Sequence, residues 1–218
     1  MKAKSIVLIF LLCFISSRLF AGPVEEMHNS FAKGFTAAKN RDKDGAINAF
    51  NTAGQYAEQA RNWQGLLDTA NALAMMNVPQ DALPFLQKAA AMAENEKDWR
   101  AAVATAYCLA SLPDSIKQTA AAVDLFRKAS TLAASKGDWI GVTEAANGLI
   151  NMNQIDIAVP LIQNAENIVS LDQSFEGSRA VAKLYDRVNL PDAASRIRQA
   201  GEDWAISSGD TVPTPPPG

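Results

Sequence analysis

Arg179, Lys183 and Arg187 recur at intervals of four, the spacing that stacks side chains along one face of a helix. They form a positive stripe suited to carboxylates, because ammonium and guanidinium groups only donate hydrogen bonds. Asn147 and Asn151 add amides that can bracket the backbone groups of a peptide. Glu176 and Asp186 lie in the same stretch, so the stripe also reads as a solvated helix face that its own acids partly neutralise; both readings stay open. Little else in the 218 residues is equipped to make or break bonds. There is no Gly-rich phosphate loop, no His-Glu pair at zinc spacing and no nucleophile elbow. His28, the single histidine, falls in the first turns of the first predicted helix, exposed to solvent. Cys108 follows Tyr107 in an alanine-rich helix, where a buried, inert thiol is expected. The acidic pairs Asp42/Asp44 and Glu94/Glu96 fall at turns or helix ends, as solvated faces do. The expectation is a protein that is not an enzyme and needs no cofactor or metal.

The elements that must carry these residues are helices. Apolar residues make up 48%, charged residues 20% and aromatics 7%, and 39 residues are alanine. Alanine is the strongest helix former and lets helices approach closely, so the balance favours helix packed on helix. Five segments align without gaps, starting at Gly45, Asp81, Ala121, Ile157 and Asp192, which are 36, 40, 36 and 35 residues apart. Each holds an alanine, a large apolar residue four later and an alanine three later: Ala46/Phe50/Ala53, Ala82/Leu86/Ala89, Ala122/Phe126/Ala129, Ala158/Ile162/Ala165 and Ala193/Ile197/Ala200. Such triplets share one helix face, with small residues where a neighbour must come close. A second helix is predicted before each, at about 26–40, 63–77, 99–112, 139–152 and 175–188, carrying Gly34, Ala70, Ala106, Ala146 or Ala182. Trp63, Trp99, Trp139 and Phe175 open successive hairpins as packing wedges. Pro79, Pro113 and Pro191 mark turns within hairpins. The second spacing, from Asp81 to Ala121, is longer by four residues, about one helical turn, so the helix after Asp114 is expected to begin near Ser115 and run longer.

Repeated helix–turn–helix units with a small residue in the first helix and Ala-x3-large-x2-Ala in the second resemble tetratricopeptide repeats. The chain is similar to a divergent member of that family over about residues 26–210, most closely from Gly34-Phe35 through Ala46, Phe50 and Ala53. The resemblance implies an all-α fold, a right-handed superhelical solenoid of about five antiparallel hairpins at 26–62, 63–98, 99–138, 139–174 and 175–210. It implies a concave groove, lined by first helices, that holds a peptide or protein segment. Asn71, Tyr107, Asn147 and Lys183 each lie one position after a small residue, an offset that faces the groove in this family. Some members clamp a peptide's C-terminal carboxylate from such positions, and by resemblance Asn147, Asn151, Arg179, Lys183 and Arg187 would do the same. The partner implied is a protein or peptide with an acidic segment or a free C-terminus. The alternative is a structural role in envelope assembly or self-association through the solenoid ends.

The termini say where this would happen. Lys2 and Lys4, the apolar run Ile6–Ile15, and Ala21-Gly22 follow the order of a secretory signal peptide, with cleavage expected after Ala21. The apolar run is too short to span a bilayer. Leu12 precedes Cys13 where a lipidated cysteine has a small residue, so lipidation is not expected. Losing Lys2, Lys4 and Arg18 leaves 17 basic against 23 acidic residues, a net charge of −6. That balance argues against nucleic acid or anionic membrane as partners. The expectation is a periplasmic or secreted protein, monomeric or weakly dimeric, with 211–218 (TVPTPPPG) as an extended Pro-rich tail.

Overall fold

A computed structural model describes residues 22–209. The expected signal peptide with Cys13 and the Pro-rich tail lie outside the described residues. Within them are ten helices and no strand: α1 (Pro23–Lys39), α2 (Lys43–Gln59), α3 (Trp63–Met75), α4 (Pro79–Glu96), α5 (Trp99–Ser111), α6 (Thr119–Ala134), α7 (Trp139–Asn151), α8 (Ile155–Asp172), α9 (Phe175–Arg187) and α10 (Pro191–Ser208). Odd-numbered helices are the first, and even-numbered the second, of successive hairpins. None of these helices is long and apolar enough to cross a membrane.

Local chemistry explains where the helices start. Asn62, Asp98, Asp138 and Ser174 precede Trp63, Trp99, Trp139 and Phe175, and each accepts from the backbone N–H three residues on, at Gly65, Ala101, Gly141 and Gly177. A side-chain acceptor there satisfies one of the four orphan donors of a helix start. Asp42 does the same for α2 through Gly45. Pro79 and Pro191 are the first residues of α4 and α10 rather than turn residues; proline's missing N–H costs nothing at that position. The links between helices, apart from the longer one after α5, pass through one residue in the left-handed region: Arg41, Arg61, Asn77, Lys97, Gly137, Asn153, Gln173 or Asn189. That residue reverses the chain so that the next N–H returns to a carbonyl five residues back, as Asp42 to Ala37 (2.9 Å) and Asp98 to Ala93 (3.0 Å).

Contacts divide the chain into two compact units that part between Lys88 and Ala89, inside α4. In the first, the rings of Phe50 and Phe85 lie where glycines let them. A Cβ at Gly34 would stand 2.5 Å from Phe50, and one at Gly54 2.3 Å from Phe85. In the second unit α5/α6, α7/α8 and α9/α10 pack as hairpins, each second helix also touches the next first helix, and α7 touches both α5 and α9. Ala133 and the Trp99 ring press on Gly141, Val169 presses on Gly177, and Gly148 sits beneath the Phe126 ring. This is the packing of a solenoid built from stacked helical hairpins, and the predicted fold class holds.

Four of the five triplets are buried completely or nearly so. The fifth departs by one residue. Ala193 and Ala200 are only half-buried, and burial runs instead through Ala194, Ile197, Gly201 and Ala205. No described hairpin follows α10, so its buried face is the one turned to its own partner α9, where Gly201 meets Ser178 and Phe175. The extra four residues are also not a longer helix. α6 begins at Thr119, and the residues before it form a loop with a turn from Pro113 to Ile116 (3.0 Å). Asp114 caps nothing there; it faces Lys117 at 3.5 Å.

Candidate functional site

Four of the seven predicted site residues are joined in one hydrogen-bonded network across α5, α7 and α9. The Arg187 guanidinium donates to Asn147 Oδ1 and, at 2.8 Å, to Asn151 Oδ1. Asn147 Nδ2 donates to the Tyr107 hydroxyl (3.3 Å), which donates to the main-chain oxygen of Glu144 (3.3 Å). The Tyr107 ring is held edge-on against Phe126, centroids 5.0 Å apart. Burial pushes the Tyr107 phenol above its ordinary pKa, opposed by the hydrogen bond from Asn147 and by the charge of Arg187.

The geometry follows from the helix register. Tyr107, Asn147 and Lys183 each lie eight residues after the aromatic that opens their helix, whereas Asn151 and Arg187 lie twelve after it. Arg187 has the reach to span both asparagines of the preceding first helix, and its planar fork fixes both amide oxygens at once. Lys183, at the register of Asn147, is exposed and outside the network. Arg179 is exposed one turn earlier, its guanidinium 5.8 Å from the centre of the Phe175 ring. The stripe is therefore split, with one cation fixed and two in solvent. Asp186 does not neutralise it, because Asp186 pairs with Arg198 of α10. Asn71 belongs to the first unit, where it is exposed on α3.

Two clefts lie against these residues. In the first unit, Phe31, Phe35, Asp68, Asn71, Ala72 and Met75 line an opening of about 270 Å³. Phe35 is 55% exposed and Met75 83% exposed, although Phe31, Phe35 and Phe50 form one aromatic cluster with centroids 5.2–6.4 Å apart. The Phe31/Phe35 spacing of four was the signal available for this patch. In the second unit, a cleft of about 280 Å³ is lined by Tyr107, Ala110, Ser111, Lys117, Thr119, Gly148, Asn151 and Met152. Lys117, on the loop, and Thr119, the first residue of α6, escaped the sequence reasoning because the helix was expected to begin near Ser115.

The remaining polar features brace the fold. Glu166 of α8 accepts from the Tyr185 hydroxyl of α9 and from Arg196 of α10 (2.8 Å). Burial, then the bond to the Glu166 carboxylate, raises the Tyr185 pKa. Asp138 accepts from the Trp99 indole N–H (3.0 Å) while capping α7. Cys108 is half-buried and His28 exposed. No group of three or more His, Cys, Asp or Glu able to hold a metal occurs among the described residues.

No family model matches the sequence, and no curated protein does. Among solved structures the chain is similar to a crystal structure of MamA protein, with 16% identity, a TM-score of 0.46, and coverage of 88% of this chain and 99% of that one. A second crystal structure of MamA gives 17% identity, a TM-score of 0.43, and coverage of 81% and 96%.

Proposed function

We propose that this chain is an exported, non-catalytic interaction module that binds a peptide or protein segment along its first helices. The observation that supports it best is the Tyr107–Asn147–Asn151–Arg187 network. It fixes polar groups from three successive first helices on one surface and leaves Arg179 and Lys183 in solvent beside it. Stacked hairpins offer a broad recognition surface without catalytic groups, which suits binding better than turnover. The Lys/Arg excess on α9, in a chain acidic overall, favours a partner with an acidic segment or a free carboxylate.

The test is capture from envelope extract by the purified chain and by its Lys183→Ala/Arg187→Ala variant at two salt concentrations. The expected result is a discrete partner whose retention falls about tenfold in the variant, with added salt weakening the wild type, because exposed charges are screened beyond roughly 8–10 Å. Equal retention by both proteins refutes the charge-reading groove. Concentration-dependent self-association in gel filtration, with no other partner retained, supports the structural alternative instead.

A further inference from the structure

The third hairpin's extra residues build a wall that the other hairpins lack. Their links within a hairpin take three residues, whereas α5 ends at Ser111 and α6 starts at Thr119. The loop between them carries Lys117, which lines the second-unit cleft together with Asn151 of α7 and Met152 just after it. The lining contains no carboxylate.

The hydrogen-bond inventory decides what the cleft offers. Arg187 can only donate, so the part of the Asn151 amide turned to it must be the oxygen, leaving the Asn151 NH2 available. Ser111 spends its hydroxyl proton on the Cys108 carbonyl (2.8 Å). Among the described residues the Lys117 ammonium pairs with Asp114 at 3.5 Å, whose side chain is 96% exposed, a pairing worth little in water. Thr119 adds a hydroxyl, while Ala110, Gly148, Met152 and the Tyr107 ring supply apolar walls. At about 280 Å³ the cleft falls just below the roughly 300–1,000 Å³ of drug-sized ligand sites, which fits a single side chain.

We propose that this cleft binds an acidic side chain of glutamate type from the segment lying along the first helices. The methylenes lie against Met152 and Ala110, and the carboxylate displaces Asp114 from Lys117 while accepting from Asn151 Nδ2. The four-residue insertion is thus a specificity device that selects an internal acidic residue, separate from the cations of α9. This inference rests on the peptide-binding reading above, and its test can fail independently of it.

The probe is N-acetyl-glutamate N-methylamide, titrated into the ¹⁵N-labelled chain beside its glutamine counterpart and followed by NMR. The glutamate probe is expected to shift Lys117, Thr119 and the Asn151 side-chain amide, with the glutamine probe about fivefold weaker, the difference between a charge-assisted and a neutral contact. Lys117→Ala should reduce the glutamate response to the glutamine level, and Lys117→Arg should keep it, both with unchanged circular dichroism. Equal responses to the two probes, indifference to Lys117→Ala, or shifts centred on Arg179 and Lys183 would overturn the proposal. A captured partner that needs Arg187 but ignores Lys117→Ala removes the cleft and leaves the groove. Probe binding without any captured partner does the reverse.

Discussion

Asp138 performs two tasks with two oxygens, and separating them tests the stacking of the hairpins. Oδ1 accepts from the N–H groups of Ile140 (3.1 Å) and Gly141 (3.4 Å) at the start of α7. Oδ2 accepts from the indole of Trp99, the buried residue that opens the preceding first helix. Arg100 also approaches Oδ2, at 3.8 Å, but its side chain is 66% exposed and adds close to nothing. Asp138→Ala deletes the cap, worth about 1 kcal/mol, and strands the indole donor, worth about 1–3 kcal/mol. The expected loss is about 2–4 kcal/mol, or a fall in melting temperature of roughly 4–16 °C for a chain of this size. Asp138→Asn is more discriminating. Its single oxygen can cap α7, but its NH2 then faces the Trp99 N–H, donor against donor, at about 1–2 kcal/mol. In a Trp99→Phe background that penalty should vanish. Urea unfolding of the four proteins, followed by circular dichroism, supplies the cycle. A coupling below about 0.5 kcal/mol, or an Asp138→Ala variant as stable as wild type, refutes the claim that Asp138 ties successive hairpins together.

Three further outcomes are expected. Gly201→Ala should destabilise by about 1–2 kcal/mol, since its Cβ would stand 2.7 Å from that of Ser178, whereas Ala200→Leu on the half-buried side should change the unfolding midpoint by under about 0.5 kcal/mol. Tyr107 and Tyr185 both have folded-state pKa values raised above the ordinary 10, so their contribution is fully present below about pH 10 and is lost as pH rises through the folded values. Urea midpoints at pH 8 and pH 11 should therefore differ more for wild type than for the Tyr107→Phe/Tyr185→Phe variant, and equal differences would exclude this linkage. Protein recovered from the envelope should begin near Gly22 by mass spectrometry; an intact Met1 on a cytosolic product would contradict export.

The repeat was legible because two periodic signals coincide. Trp63, Trp99, Trp139 and Phe175 are the first residues of their helices, and the internal triplets mark the buried faces of α2, α4, α6 and α8. The triplet alanines of α2, α4, α6 and α8 are buried where a further helix follows, whereas no described hairpin follows α10, which accounts for the miss at Ala193 and Ala200. The insertion was misread because four residues fit a helical turn and a loop equally well, and phase alone cannot choose between them. The offset rule brought Tyr107 and Asn147 together correctly but placed Lys183 beside them, where the structure uses Arg187. Offset locates a Cα, and a guanidinium reaching back to the preceding helix is decided by side-chain length.

The left-handed turn residues carry a consequence for engineering. Arg41, Arg61, Lys97 and Gln173 have neither glycine's missing Cβ nor the short amide of asparagine that eases this backbone, so each holds roughly 1 kcal/mol of conformational strain. Glycine relieves that strain at some cost in the entropy of the unfolded chain, for a net gain of several tenths of a kcal/mol per site. The four sites lie in different links, so their increments should add. The array thus contains a thermal reserve, adjustable one joint at a time, that leaves Tyr107, Asn147, Asn151 and Arg187 untouched.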